Sequence, residues 1–348
     1  MLNDRIGVCI VGPGFWAQEM HLPAFAEIPG VEVVCVVGRT EASARTLAER
    51  FGVRRWSTDH REAVKSEDVD LVDILAPNYL HAPIAIDAAE AGKHVICIKP
   101  LATTLADADA MIAAARNAGT RLFYAENVPF IPAVQEARQI VARGAIGHVF
   151  RVKACEGIGE PHSPWHYRRD QAGGGAMIDM AVHSIEFCRA FAGASFRSVY
   201  AETGTFVWGE KLQAEDTAVL SLRFANGVIG QCEDSWSLAG AMDSRFEVFG
   251  TAGRILIDNL HRQPIQVVSG STQSAVPPGW SYPSPLSGAV TDGHLAMLTH
   301  FVEALRSGER SKSEAMVGWN ALAVIEAAAI SVESGRREII RSLAEERA

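Results

Sequence analysis

Uninterrupted apolar runs alternate with helix-like stretches through the first third of this chain. The runs are IGVCIVG, VEVVCVVG, LVDILAP, HVICIKP and RLFYAEN. Val- and Ile-rich runs without polar alternation are typical of parallel strands, because the connecting helices bury such a sheet on both faces. The pattern predicts a doubly wound α/β domain over residues 1–127.

The remaining residues, 128–348, have the patterns of an antiparallel sheet flanked by helices. Two candidate strands within 217–234 meet at Asn226-Gly227, the dipeptide best suited to a tight hairpin turn. A second pair of strands meets across Gly250–Gly253. Helices are predicted near 132–143, 174–192, 293–306 and 314–333, and a surface loop is predicted at 270–288, where Ser, Pro and Gly are dense.

Charge and composition disfavour several classes of partner. The formal net charge of −9 and the lack of a long Lys/Arg run argue against binding to nucleic acid or anionic lipid. No run of about eighteen uncharged apolar residues occurs, and the N-terminus is charged where a signal peptide would be apolar, so a cytoplasmic protein is expected. The six cysteines lack CxxC spacing, which indicates reduced core thiols rather than disulfides or a zinc site.

A glycine-rich turn follows the first apolar run directly. The segment GPGFWA at 12–17 matches the dinucleotide fingerprint G-x-G-x-x-G/A at the point where a strand should pass into a helix. Gly12 would permit the tight turn, Gly14 would let a pyrophosphate approach the backbone, and Ala17 would let the helix pack on the sheet. The motif predicts a dinucleotide-binding Rossmann domain, and a tight turn without a ligand is the alternative.

The end of the second apolar run bears on the choice of cofactor. NAD-binding domains usually carry Asp or Glu there, whereas this chain has Gly38-Arg39-Thr40. Arg39 could stack on adenine or pair with a 2′-phosphate, and Arg45 is a possible second cation. The segment therefore favours NADP over NAD, with both kept as candidates, and a solvated surface arginine is the alternative for Arg39.

Three residues form a candidate catalytic set. Lys99 ends a central strand, and Asp179 and His183 are four apart in GGGAMIDMAVHSIEF, which predicts that they share one helix face. Alcohol oxidation needs a base for the hydroxyl proton, and a cation near the oxygen stabilises the developing alkoxide. No third Cys or His lies at a useful spacing, so no metal site is predicted. Each residue also has a structural alternative: a solvated lysine, a helix-capping aspartate or a buried histidine.

The chain resembles the Gfo/Idh/MocA family of glucose-fructose oxidoreductase and inositol dehydrogenase. The matching motifs are GPGFWA at 12–17, APNYLH at 76–81, CIKPL at 97–101, GGGAMIDMAVHSIEF at 173–187 and the C-terminal AAAISVESGRREI. The resemblance implies an N-terminal Rossmann domain and a C-terminal α/β domain whose open, mostly antiparallel sheet often forms an oligomer interface. A homodimer or homotetramer is therefore expected.

The resemblance also implies roles for individual residues. Lys99, Asp179 and His183 would lie where cofactor and substrate meet, with His183 as the proton acceptor and Lys99 orienting the hydroxyl. The residues implied at the cofactor are Ala76, Pro77, Asn78, His81, Lys99 and Glu126, and Asn127 would lie near the substrate. One position departs from the family pattern, because Ile98 replaces the glutamate of the usual Glu-Lys-Pro and so removes a carboxylate placed near the nicotinamide ribose.

The segment PHSPWHYRRD at 161–170 supplies the remaining substrate candidates, which are Trp165, His166, Tyr167 and Arg168. An aromatic ring can stack on the apolar face of a sugar, and Arg168 could hold hydroxyls, a carboxylate or a phosphate. A packed interdomain loop is the alternative. Phe15 and Trp16 are expected to shield the cofactor, whereas His21 is expected to be structural.

These features together predict an NAD(P)-dependent dehydrogenase or reductase that transfers a hydride between the nicotinamide and a carbinol carbon of a sugar, cyclitol or related polyol. One alternative is a redox-neutral enzyme that cleaves glycosides while it keeps its nicotinamide tightly bound. The other is a non-catalytic, nucleotide-responsive binding protein, because this fold hosts regulators as well as enzymes.

Overall fold

The computed structural model describes residues 5–270, 279–281 and 293–342. The chain divides into two compact units. The first comprises Met1–Glu126, Asp170–Gly173 and His294–Trp319, and the second comprises Asn127–Arg169, Gly174–Gly293 and Asn320–Ala348. Two later segments of the chain therefore belong to the first unit.

A six-stranded parallel sheet forms the centre of the first unit. Its strands are β1 (Ile6–Val11), β2 (Val31–Val37), β3 (Arg55–Ser57), β4 (Leu71–Ile74), β5 (His94–Ile98) and β6 (Leu122–Ala125). The order across the sheet is β3-β2-β1-β4-β5-β6, which is the order of the dinucleotide-binding doubly wound fold. The predicted Rossmann domain is confirmed, and its five apolar runs are β1, β2, β4, β5 and β6.

Helices connect these strands. They are α1 (Leu22–Glu27), α2 (Glu41–Phe51), α3 (His60–Val64), α4 (His81–Glu90) and α5 (Leu105–Ala118), and a π-helical turn, Ala17–His21, leads into α1. The hydroxyls of Thr40 and Thr104 cap α2 and α5, and Gly52 and Gly119 end the same helices in the left-handed conformation. Strand β3 and helix α3 were not predicted, because three and five mixed-polarity residues carry no readable periodicity.

The second unit contains a nine-stranded sheet. Its strands are β7 (Val149–Ile158), β8 (Phe196–Gly204), β9 (Thr217–Phe224), β10 (Ile229–Ser235), β11 (Met242–Gly250), β12 (Gly253–Asp258), β13 (Ile265–Ser269), β14 (Gly279–Ser281) and β15 (Glu338–Ile339). The order is β14-β13-β12-β11-β7-β10-β9-β8-β15, and among the described strands of this sheet only the pair β7–β10 is parallel. Both predicted hairpins are present, as β9–β10 and β11–β12, and the mostly antiparallel sheet is confirmed.

The remaining helices are α6 (Pro132–Ala142), α7 (Arg169–Ala172), α8 (Ala176–Asp179), α9 (Ala181–Ala192), α10 (His294–Ser307) and α11 (Ala315–Ser334). The single helix predicted at 174–192 is wrong, because the chain forms α8 and α9 with an interruption at Met180. The amide of His183 bonds to the carbonyl of Met180, three residues back, instead of continuing the four-residue repeat of α8. Asp179 and His183 therefore lie on two successive helices and not on one helix face.

Most of the predicted loop at 270–288 lies outside the described residues. Its described part includes Gly279–Ser281, which form strand β14 on β13, so the segment is not a loop throughout. Helix α11 has the length and apolar composition of a membrane span, but 61% of its apolar window is buried in the folded chain, as in a core helix. The six cysteines are free thiols, and all except Cys155 are buried.

Candidate active site

The turn after β1 can accommodate only glycine at its first position. Gly12 has φ +112°, and a Cβ there would lie 2.5 Å from the carbonyl group of Leu75 and 2.6 Å from the nitrogen of Ala76. A Cβ on Gly14 would meet no atom within 4 Å, so the backbone is open to a ligand. Ala17 is fully buried under the sheet. The turn therefore fits a dinucleotide, whose pyrophosphate needs close access to the main chain.

Aromatic side chains follow the turn. Phe15 is 42% exposed, and its ring meets the edge of Trp16 at 5.3 Å. Trp16 stacks on His294 at 5.6 Å. His21 is fully buried with Nδ1 2.7 Å from Oδ2 of Asp73, so its expected structural role agrees with its surroundings.

The end of β2 lies beside the same turn. A Cβ on Gly38 would lie 2.9 Å from Cγ of Pro13, so glycine lets the two segments approach. Thr40 accepts a hydrogen bond from the backbone of Ser43 and caps α2. Arg39 is exposed and makes no ion pair or hydrogen bond with the described part of the chain, whereas the other candidate cation, Arg45, pairs with Glu49 at 2.9 Å.

The ring of His81 is held inside the first unit, and contact of this residue with the cofactor stays a prediction. The ring is fully buried, and its Nδ1 and Nε2 each lie 2.9 Å from a carbonyl oxygen, that of Pro100 and that of Ala76. Burial lowers the pKa of His81, although both carbonyls favour the protonated ring. Through these two contacts His81 joins the loop after β4 to the residue that follows Lys99.

The side chain of Asn78 is also turned into the protein, and contact of this residue with the cofactor stays a prediction. Its side chain is 3% exposed, and its Nδ2 donates to the carbonyl of Ala172 at 2.8 Å. On the same loop, Ala76 is buried and Pro77 is partly exposed. The main chain of this loop, more than its side chains, is thus placed beside the glycine turn.

Three more predicted site residues remain. Lys99 and Glu126 follow strands of the first sheet, and Asn127 begins the second unit. Lys99 is partly exposed directly after β5, and Ile98 before it is 5% exposed, so the position of the family glutamate carries a buried apolar side chain. Glu126 is fully buried after β6. Asn127 opens the second unit, and its carbonyl accepts from the amide of Phe130 at 2.8 Å.

In the second unit, Asp179 is held by a tryptophan that sequence reasoning missed. The Nε1–H of Trp236 donates to Oδ2 of Asp179 at 3.0 Å, and Nε2 of His166 lies 3.9 Å from Oδ1. The carboxylate is 6% exposed, whereas His183 in the first turn of α9 is half-buried. The only sequence signal was an aromatic residue directly after a strand, which is too common to indicate a site.

Glu215, also missed, fixes the glycine run ahead of Asp179. Its carboxylate accepts hydrogen bonds from the amides of Gly175 and Met177, each at 3.0 Å. Its carbonyl accepts from the amide of Ala176 at 2.9 Å, so one residue satisfies three amides at the start of α8. A Cβ on Gly175 would lie 1.9 Å from that carbonyl oxygen, which explains why glycine is needed there.

The segment at 161–170 divides into buried and exposed side chains. His166 is 6% exposed, stacks on Trp165 at 3.7 Å and has its Nε2 3.9 Å from Oδ1 of Asp179. The hydroxyl of Tyr167 donates to Glu160 at 2.9 Å, and partial burial together with this bond raises the pKa of Tyr167 to about 12. Trp165 and Tyr167 are half-buried and Arg168 is exposed, so these three are the accessible substrate candidates of the segment.

The structure thus brings the cofactor candidates of the first unit into one neighbourhood at the ends of β1, β2, β4 and β5. Asp179 and His166 meet within the second unit. In the described ranges, no group of three or more His, Cys, Asp or Glu side chains is arranged to hold a metal ion.

Comparison with known proteins bears on the whole chain. A family model described as an oxidoreductase family with an NAD-binding Rossmann fold matches residues 6–126, and the GFO/IDH/MocA C-terminal domain matches residues 134–256. Levoglucosan dehydrogenase of Pseudarthrobacter phenanthrenivorans is 32% identical over 307 residues, 78% of each protein. Myo-inositol 2-dehydrogenase of Thermotoga maritima is 31% identical over 336 residues, 95% of this chain and 97% of that protein.

The fold comparison agrees. A solved structure of levoglucosan dehydrogenase in complex with NADH matches with a TM-score of 0.89 and 27% identity, covering 97% of this chain and 100% of the other. The motif resemblance is therefore confirmed in both halves, and the chain belongs to the GFO/IDH/MocA family of oxidoreductases.

Proposed function

We propose that this chain is an NAD(P)-dependent dehydrogenase that acts on a carbinol carbon of a sugar, cyclitol or related polyol. The observation that carries the proposal is the turn at Gly12–Gly14, which excludes a side chain at its first glycine and leaves the second open. Relatives named levoglucosan dehydrogenase and myo-inositol 2-dehydrogenase support the substrate class.

The cofactor would be held by main-chain groups of Gly12, Gly14 and Ala76, with Phe15 as a cover and Arg39 at its adenosine end. When bound, a nicotinamide supplies or accepts the hydride. The protein's own task is then to position the substrate hydroxyl and to manage its proton. Partial charges at the start of the helix after the turn would favour the pyrophosphate.

Three residues would act on the substrate hydroxyl during the reaction. His183 would accept the proton from the substrate hydroxyl, because an imidazole nitrogen can act as a general base. The Lys99 ammonium would stabilise the developing negative oxygen, and the Asp179 carboxylate would orient the hydroxyl. Trp165 and Arg168 would contact the rest of the substrate, by stacking and by hydrogen bonds respectively.

The finer choice of cofactor follows from Arg39. No carboxylate stands at the end of β2 to repel a 2′-phosphate, and the exposed guanidinium can bind one in a fork geometry. We therefore propose NADP as the preferred cofactor. Structural relatives are complexed with NAD or NADH, so NAD stays the competing choice.

We also propose a cytoplasmic homo-oligomer assembled through the sheet of the second unit. On one face of the sheet, apolar side chains lie half-buried or exposed among charged ones such as Arg151 and Glu233; the apolar ones are Val219, Ile229, Phe249, Leu256 and Val268. Such a surface is typical of one that a second copy covers.

The test is a screen of NAD and NADP against sugars and cyclitols, followed by absorbance at 340 nm. We expect net reduction of the cofactor with at least one polyol, and Lys99→Ala should lower kcat by about 10²- to 10⁴-fold while cofactor affinity is largely kept. Lys93→Ala is the control, because Lys93 precedes the same strand at its opposite end and donates to the carbonyl of Ser66.

Two outcomes contradict the proposal. Glycoside cleavage without net cofactor reduction would favour the redox-neutral enzyme, and cofactor binding without any turnover would favour a nucleotide-responsive binding protein. Equal loss of turnover and of cofactor binding in Lys99→Ala would count against a catalytic role for that lysine.

A further inference from the structure

We infer that Trp236 is a positioning residue that sets the orientation of the Asp179 carboxylate for the reaction. This inference rests on the proposed function, in which Asp179 orients the substrate hydroxyl. It concerns a contact within the second unit, the hydrogen bond of 3.0 Å from Nε1 of Trp236 to Oδ2 of Asp179.

Asp179 cannot be oriented by its own helix. It is the last residue of α8, a helix of four residues, and the chain changes its hydrogen-bond pattern at Met180. A carboxylate on such a short element can rotate about χ1 and χ2 unless a neighbour restrains it. The restraint must therefore come from another part of the fold.

Trp236 is suited to supply this restraint because its own position is fixed. Its side chain is fully buried and packs with Ala176, Met180 and Leu212. Its amide donates to the carbonyl of Asp216 at 2.7 Å, which ties the main chain directly after β10.

The main chain of Trp236 is also held through its carbonyl group. The carbonyl oxygen of Trp236 accepts from Nε1 of Trp208 at 2.7 Å. A side chain fixed in this way loses little entropy when it makes a further hydrogen bond.

In this contact the indole of Trp236 is the donor and the carboxylate of Asp179 is the acceptor. Nε1–H is a donor only, so it bonds to a lone pair of Oδ2. His166 limits the other side of the carboxylate, with Nε2 3.9 Å from Oδ1 and its ring edge-on to Trp236 at 6.1 Å. Trp236 therefore holds Oδ2 of Asp179, and Oδ1 lies on the side of His166.

The test is Trp236→Phe, which keeps an aromatic ring and removes the donor. Loss of one hydrogen bond to a charged group should lower kcat by about ten- to a hundredfold, with KM for substrate and cofactor changed less than about twofold. The same substitution in an Asp179→Ala background should change kcat by less than about twofold, because the group it acts through is gone.

Trp319→Phe is the matched control. Trp319 is also fully buried, and its Nε1 donates to Oδ1 of Asp109 at 2.8 Å in the first unit, so the same bond is lost far from Asp179 in sequence. We expect its kcat to stay within about twofold of the unsubstituted enzyme. If Trp236→Phe fails to fold, benzothienylalanine at 236 keeps the bicyclic volume and removes only the donor.

The outcomes separate the two claims. Unchanged kcat in Trp236→Phe, or an equal loss of kcat with and without Asp179, overturns the positioning role while a large loss in Asp179→Ala leaves the proposed function standing. Full activity of Asp179→Ala overturns both. A kcat loss that requires Asp179 supports the inference.

Discussion

Arg39 is an exposed cation at the point where a 2′-phosphate would lie in a domain of this fold. We predict that Arg39→Ala raises KM for NADP by about ten- to a hundredfold, since a charge-assisted hydrogen bond to a phosphate is lost, and changes KM for NAD by less than about threefold. Initial rates with each cofactor measure this split. Arg54→Ala is the control, because Arg54 is a similarly exposed cation that pairs with Glu32 at 2.8 Å. An equal change in KM for NADP and for NAD would show that Arg39 does not bind the 2′-phosphate.

The histidines show how far single residues could be predicted. His81, His166 and His183 all fall in suggestive motifs, but only His183 is half-buried, whereas the other two are buried against partners distant in sequence. His81 reaches Pro100, 19 residues away, and His166 lies against Trp236. A motif identifies the loop on which a side chain stands, but burial depends on what the rest of the fold places over it.

Among the secondary-structure elements, we predict that a substitution in the glycine run before α8 lowers both stability and turnover. In Gly175→Ala the new Cβ would lie 1.9 Å from the carbonyl oxygen of Glu215, so the start of α8 must move. We expect the free energy of unfolding to fall by about 1–3 kcal/mol, as for overpacked sites, and kcat to fall because Asp179 shifts with its helix. Thermal unfolding and initial rates measure the two effects.

Gly209→Ala is the matched control for that substitution, because a Cβ on Gly209 would meet no atom within 4 Å. Its thermal midpoint and kcat should match those of the unsubstituted chain within error. An unchanged midpoint in Gly175→Ala would mean that the contact with Glu215 relaxes at little cost and that glycine is not required there.

Elements with long, regular patterns were predictable. The apolar runs that became β1, β2, β4, β5 and β6 and the turn at Asn226-Gly227 depend on local residue type, which sequence displays directly. The interruption at Met180 was not predictable, because the residues around it have an ordinary helical pattern. Glu215, 40 residues beyond Gly175, holds the first turn of α8 and so contributes a restraint that no local pattern contains.

For the whole molecule, the proposed assembly predicts a solution mass of two or four times the 37.5 kDa of one chain. Val219, 46% exposed on β9, lies on the sheet surface proposed to be covered. We expect Val219→Arg to shift the mass towards one chain in light scattering, because burying a long charged side chain at an interface is costly even beside Glu202 and Glu233, its cross-strand neighbours. Val332→Arg on α11, where the side chain is 37% exposed, should leave the mass unchanged.

A single-chain mass for the unsubstituted protein would contradict the proposed assembly. An equal fall in solution mass in Val219→Arg and Val332→Arg would instead show that an added charge disrupts the assembly wherever it is placed, so the sheet surface would not be the interface. Dilution from high to low protein concentration, followed by the same measurement, separates a weak assembly from a stable one.

His81 fastens two crossover connections to one another, since its ring lies against the carbonyls of Ala76 and Pro100. The loop that follows β4 and the lysine that follows β5 are consequently parts of one rigid frame. A designer who reshapes residues 76–80 to admit a different nucleotide must preserve both carbonyl partners of this ring, or the placement of Lys99 will drift even though that residue is untouched.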